Sequence, residues 1–398
     1  MKIKSLLIGS AAALVAATGA QAADAVVVAE PEPVEYVRIC DAYGAGFFFI
    51  PGTETCLRIS GYVWFQVWSS GDRTGNVVNP FVTNPYYGGT NIFGQSGLTV
   101  GSRARLNFDA RSDTEWGTLR SFIRVQGTWT GGFDGNATFD QAFIELGGWR
   151  MGYTESAWSQ TQGGGASNWG AHSWGGMYYG YTQRQLIAYT FQGGNGFFGT
   201  ISIEDDVTAG NSWTPDAVIK VGVNQGWGSI WAKVGYDDEI LPGPLAACPG
   251  CVGDSWSAGL GMQLNVPNSP GSSLRVLAFY HDGPNQWSGG PGVSAWPAVF
   301  PLGYEWSILA SYNHAFSSTL SASIAFQYFN DAYNPFVAGF PTTNHDAWGA
   351  ELSVVWFPVT NFEVRAELHY DDVDAGVLTG GLDPDGIVSG FVRFTRYF

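Results

Sequence analysis

An all-β, 16-stranded antiparallel transmembrane barrel is the fold this sequence predicts, and three observations predict it. The chain opens with an export signal. After that signal it has no apolar run of the roughly 18 residues a membrane-spanning helix needs. From Leu57 onward it breaks into short segments of alternating polarity, separated by Gly, Asn, Asp and Pro clusters. Lipid offers no partner to unpaired N–H and C=O groups, so a chain that crosses a bilayer without helices has to close its sheet.

The first element is the signal itself. Lys2 and Lys4 form a basic start, Leu6 to Val15 an apolar core, and Ala20-Gln21-Ala22 a small-x-small cleavage site, so residues 1–22 are expected to be removed and the mature chain to begin at Ala23. The formal net charge is −16, and loss of the two lysines makes it more negative. Nucleic acid is excluded as a partner at that charge, because binding it requires Lys and Arg on phosphates. Charged residues are only 13%, aromatics reach 15% and glycines number 55, against about 25% charged in soluble domains. That composition fits a β protein with tight turns and much surface outside water.

Residues 23–56 follow as a Pro- and Glu-bearing extended lead that ends in the Cys40 to Cys56 region. An even number of cysteines in an exported chain favours disulfides. Of the three pairings possible for Cys40, Cys56, Cys248 and Cys251, two local staples, Cys40 to Cys56 and Cys248 to Cys251, are expected. Zinc is the alternative on the spacing of Cys248-Pro-Gly-Cys251, but Cys40 and Cys56 supply no second CxxC, so no metal is expected.

The barrel is expected over residues 57–398, with candidate strands near 57–68, 98–110, 117–130, 136–146, 149–155, 182–191, 197–205 and 216–225 in its first half. Its second half has candidates near 228–237, 255–266, 272–281, 304–314, 318–330, 346–357, 361–370 and 387–398. Alternation is clearest in Leu98 to Asp109: Leu98, Val100, Ala104, Leu106 and Phe108 share one face, and Arg103, Arg105, Asn107 and Asp109 the other. Next, Gly117 to Thr130 sets Leu119, Ile123 and Val125 against Arg120, Phe122, Arg124 and Gln126. In lipid the charged face turns inward. Short turns such as Gly226-Trp227 alternate with long loops such as 156–181 and 282–303, as expected of short periplasmic turns and long extracellular loops. The brief 131–135 connection breaks that rhythm. The last strand ends on Phe398, with Arg396 on its lipid face, a position that is cheap only near a rim.

With these elements in place, several segments resemble a known family. The leader, the run Glu35 to Tyr62 with its Cys40 and Cys56, the turn Phe108-Asp-Ala-Arg-Ser-Asp-Thr-Glu-Trp-Gly-Thr-Leu-Arg120 and the ending Arg393-Phe-Thr-Arg-Tyr-Phe398 are similar to the general porins of alphaproteobacteria, the rhizobial and brucella type. The resemblance implies an outer-membrane homotrimer passing small hydrophilic solutes and ions by passive diffusion, without cofactor, and a third long loop folded into the lumen. Under it, Arg103, Arg105, Arg120 and Arg124 match the basic wall of the constriction, and residues 156–181 match the inward loop. The loop departs from the family pattern, because Ser156 to Tyr181 contains no Asp or Glu and Glu155 sits just before it. It offers instead Trp158, Gln160, Gln162, Gly163-Gly-Gly165, His172 and Trp174.

Each candidate also has a plainer reading. The arginines can pair with wall carboxylates such as Asp109, Asp140 or Glu145 instead of steering anions. Most tryptophans are expected in membrane girdles; a sugar-stacking track through Trp158 and Trp174 is the sharper alternative. Acidic stretches such as Asp237-Asp-Glu239 read as solvated loops, or as divalent-cation contacts with lipopolysaccharide. An enzyme would need a base, an orienter and a nucleophile together, whereas His172, His281, His314, His345 and His369 are dispersed. A structural or adhesive barrel would differ in having a plugged lumen.

Overall fold

Successive side chains of a strand point to opposite faces, and the alternating segments fold as strands in the computed structural model. It describes residues 38–70, 82–84, 89–91, 97–130, 135–160, 170–175, 177–205, 213–238, 254–290, 303–334, 341–373 and 386–398. Residues 39–398 belong to one unit. Its barrel strands begin with Cys56–Ser70 (β1), Gly97–Thr114 (β2), Gly117–Thr130 (β3), Thr138–Leu146 (β4), Trp149–Glu155 (β5), Gln183–Gln192 (β6), Phe197–Glu204 (β7) and Asp216–Gln225 (β8). They continue with Gly228–Asp237 (β9), Ser255–Asn265 (β10), Ser273–His281 (β11), Tyr304–Ala315 (β12), Leu320–Ala332 (β13), Ala347–Val359 (β14), Phe362–Val373 (β15) and Ile387–Tyr397 (β16).

Each strand pairs antiparallel with the next. β16 pairs back onto β1, from Ser389 opposite Ser70 to Tyr397 opposite Tyr62. That last ladder removes both sheet edges, which is the condition for a sheet to sit in hydrocarbon.

The two faces are inverted relative to a soluble protein. Leu106, Ile123, Ile187, Ile219, Leu260 and Leu368 are exposed on the outer face, whereas Gln66, Asp109, Gln141, Thr154, Gln327 and Glu351 are buried inside. An aromatic belt crosses six consecutive strands on the outside. Trp256 of β10 packs on Tyr280 of β11 at 5.3 Å, Trp306 of β12 on Tyr328 of β13 at 5.6 Å, and Trp348 of β14 on Tyr370 of β15 at 5.0 Å. Amphipathic rings settle where hydrocarbon meets the polar interface.

Connections alternate around the whole barrel. The two-residue turn Gly147-Gly148 has φ of 56° and 95°, a left-handed pair that glycine adopts without strain and that matches the twist of a two-residue hairpin. The 131–137 connection falls on the long-loop rim by strand parity, although residues 131–134 lie outside the described set. Arg396 lies at the opposite rim, where its guanidinium donates to the carbonyls of Thr360 and Asn361 in the 360–361 turn at 3.4 and 3.2 Å. The position is therefore one where a lipid-face charge costs little.

A small lobe precedes β1. Cys40 and Cys56 form a disulfide with Cα atoms 6.0 Å apart, the two-residue strand Phe48–Phe49 pairs with Cys56 and Leu57, and Tyr43 donates to Asp113 at 2.7 Å. Cys248 and Cys251, like residues 1–37, lie outside the described residues.

Candidate functional site

Period two puts Arg103, Arg105, Asn107, Asp109 and Arg111 of β2 on the inner face. Register sets their neighbours: Arg58 stands opposite Asp109, Arg120 opposite Glu145, and Glu145 opposite Arg150. Opposite charges directly across a ladder attract, and here they form a zigzag over five strands. Asp109 is approached by Arg58 at 3.6 Å and by Arg111 at 2.8 Å. Arg120 meets Asp109 at 2.9 Å and Glu145 at 2.8 Å. Arg150 closes on the other oxygen of Glu145 and gives its remaining donor to Gln160 Oε1 at 2.8 Å. Arg120 is thus shared between two carboxylates.

A second tier lies nearer the long-loop rim. Arg103 Nε donates to Thr128 Oγ1 at 2.8 Å, Arg105 Nε to Gln126 Oε1 at 2.9 Å, and Arg124 Nε to Asn107 Oδ1 at 2.9 Å. Asp140 serves both Arg124, at 3.4 Å, and Arg105, at 3.8 Å. Strict alternation from the inward Gln141 and Phe143 would turn Asp140 outward. A bulge between Arg124 and Val125 shifts the register, so Asp140 and Gln141 both face inward. Bulges re-aim side chains in this way. Among the described residues, Arg103 meets no carboxylate.

The segment after β5 folds against the inner wall, and the wall holds it chiefly by its backbone. Lys220 Nζ donates to the carbonyls of Ala157 at 2.9 Å and Gln160 at 2.7 Å. Lys233 Nζ donates to the Trp158 carbonyl at 2.9 Å, and Arg275 to that of Gly170 at 2.6 Å. In the other direction, the N–H of Ala157 donates to Glu204 at 2.8 Å, that of Trp174 to Glu367 at 2.7 Å and that of Tyr178 to Gln327 at 2.9 Å. Irregular backbone inside a barrel leaves donors and acceptors without ladder partners, and charged side chains of the wall supply them. This accounts for a loop with no Asp or Glu of its own.

The loop residues singled out from the sequence separate into distinct places. Glu155 is buried at the loop base, accepting from Gln141 at 3.4 Å. Gln160 donates to the Glu155 carbonyl. The two ring nitrogens of His172 lie 2.6 Å from Ser311 Oγ and 2.8 Å from Ser273 Oγ. Burial, reinforced by Arg275, pushes its pKa down to about 3.

Trp158 corrects the stacking-track expectation. It is 1% exposed, stacked on Trp287 at 5.2 Å with the Lys233 ammonium 3.9 Å from its ring, so no solute reaches it. Trp174 lies 3.9 Å from the Arg393 guanidinium of β16. Gln162 and Gly163 to Gly165 lie outside the described residues.

Sequence reasoning missed Lys220, Lys233, Arg275 and Arg393, whose loop partners are far away in the chain. It also missed Tyr181, which lies within electrostatic range of Glu155, Asp140, Arg105 and Arg124. With Cys40 and Cys56 bonded to each other, neither is a free thiolate for zinc. Among the described residues no group of three His, Cys, Asp or Glu is placed to hold a metal.

Comparison with known proteins gives the following. A family model described as "Porin subfamily" matches residues 24–384. Porin Omp2b of Brucella neotomae is 34% identical over 425 residues, covering 100% of each chain. The outer membrane channel DcaP of Acinetobacter baumannii superposes with a TM-score of 0.62 at 13% identity, over 88% of this chain and 99% of that one. The anion-selective porin from Comamonas acidovorans gives 0.55 at 14% identity, over 87% and 100%. Likeness at such low identity concerns the fold.

Proposed function

Because the chain belongs to the porin subfamily, we propose that its outer-membrane channel passes small hydrophilic solutes and ions by diffusion through an aperture between the loop 156–181 and a wall formed by Arg103, Arg105 and Arg124. One observation carries the reading. Where Tyr181 of the loop approaches the wall it lies in range of two guanidinium groups, Arg105 and Arg124, and two carboxylates, Asp140 and Glu155, and Arg103 on the same tier of β2, which meets no carboxylate among the described residues, tips the balance to positive. The aperture is net positive and prefers anions. Arg120, shared between Asp109 and Glu145, sits one tier away and shapes the wall more than the field. Glu155, Gln160 and His172 hold the loop, and Trp174 borders the passage.

Residues 1–22 act as the export signal, and lipid with lipopolysaccharide surrounds the mature barrel. The active form is a trimer. Its contact is supported by the outer face itself: the aromatic belt spans β10 to β15, whereas at the same rim β16, β1 and β2 present Val388, Val67 and Leu98 beside an apolar groove. The experiment is single-channel recording of the purified protein in planar bilayers with a salt gradient. Triplet current steps and an anion-directed reversal potential are expected; a cation-directed potential overturns the assignment of the wall.

A further inference from the structure

Arg393 stands where β16 closes onto β1, opposite Gln66. It is 2% exposed, and its Nε donates to Gln66 Oε1 at 2.6 Å. Its guanidinium lies over two indoles, 3.9 Å from the ring centre of Trp174 and 4.9 Å from that of Trp64, with Phe391 at 4.7 Å. Trp64 also carries Arg103, from the neighbouring strand β2, at 5.3 Å. Arg103, Trp64, Arg393 and Trp174 therefore form one stack of alternating cations and rings. It runs from the basic wall to the part of the loop that meets β15 and β16.

This contact differs from the backbone attachments of the loop. Lys220, Lys233 and Arg275 grip main-chain carbonyls near residues 157–160 and 170–171. Arg393 holds a ring, as Lys233 does at Trp158, but a planar guanidinium lying over two indoles resists sliding in a way that a single ammonium cannot. The neighbouring bond from the Trp174 N–H to Glu367 fixes the height of the tip, and the stack fixes its distance from the wall.

We propose that Arg393 is the positioning residue of the channel: by clamping Trp174 against the closing seam it sets the width of the aperture. The proposal rests on the reading that loop 156–181 is the constriction. Arg393→Lys keeps the charge and loses the plane; Trp174→Ala removes the gripped ring; Trp174→Phe keeps an aromatic face. Each is recorded in planar bilayers, and each is tested for swelling of proteoliposomes in sugars of increasing size. Barrel integrity is followed by heat-modifiable migration on gels.

With migration unchanged, R393K and W174A are expected to raise unitary conductance by about half or more, to add rapid current flicker and to admit larger sugars. W174F is expected to stay close to the native channel, and the R393K/W174A double variant to add little to either single change. Native conductance and quiet traces in both R393K and W174A overturn the clamp. If Arg105→Gln with Arg124→Gln still shifts the reversal potential in that case, only the clamp has failed; if that pair is silent too, the constriction reading falls with it.

Discussion

Replacing Arg105 and Arg124 together by Gln tests the charge of the aperture most directly. Both guanidinium groups contact Asp140, at 3.8 and 3.4 Å, and Glu155 also lies in range of Arg124, so the native tier carries three positive charges and two negative, and the double variant leaves Arg103 against Asp140 and Glu155. An ion passing about 6 Å from a unit charge in water feels ~0.7 kcal/mol. Screening near 0.1 M salt roughly halves this, to ~0.4 kcal/mol. Anion and cation are moved in opposite senses, so each charge changes their difference by ~0.8 kcal/mol, and two charges shift the permeability ratio roughly tenfold. Reversal potential in a KCl gradient reads that ratio. The double variant is expected to cross to a weak preference for cations, and Asp140→Asn to move by about threefold the other way, toward anions. A permeability ratio that changes less than twofold in both variants refutes the assignment of these side chains to the aperture.

Three further outcomes are expected. Lys220→Met with Lys233→Met strips donors from the carbonyls of Ala157, Gln160 and Trp158. Each orphaned carbonyl costs about 1–3 kcal/mol, partly offset by no longer burying two ammonium groups, so the loop is expected to become cleavable by added protease while the barrel stays intact; continued resistance counts against backbone docking. Gly180→Ala puts a side chain at φ +74°, with its Cβ 2.5 Å from Trp158 Nε1, and strain of about 1–3 kcal/mol is expected to displace Trp158 and raise current noise. His172, with its pKa held down to about 3 by burial, stays neutral in the docked loop while a released loop binds a proton below its ordinary value near 6.5. Docking is therefore complete above that value and weakens about tenfold per unit as pH falls toward 3; gating noise between pH 7 and 4 measures it, and His172→Gln flattens the dependence.

Much of the barrel was legible because lipid enforces alternation along most of each strand. The charged face of Leu98 to Asp109 had to point away from the acyl chains, and the span read for Trp149 to Glu155 is the strand observed. Asp140 was harder to place. A single inserted residue resets the phase of a period-two pattern, and nothing local in Thr138 to Leu146 announces where the extra residue lies. The loop attachments were illegible for a different reason. Lys220 meets Ala157 only because the segment after β5 folds inward across the following strands, and Arg393 finds Gln66 across almost the full chain through barrel closure. Trp158 illustrates the same limit: its composition suits solute stacking, but Trp287 and Lys233 arrive from distant strands to cover it.

The main-chain attachment of Ala157, Gly170 and Ala171 has an evolutionary consequence. Every residue type except proline brings the same N–H and C=O, so most substitutions at positions held in this way leave the mooring untouched and change only what a passing molecule meets. A barrel built like this can acquire a new sieve by drift in one short segment, with no compensating change in its staves.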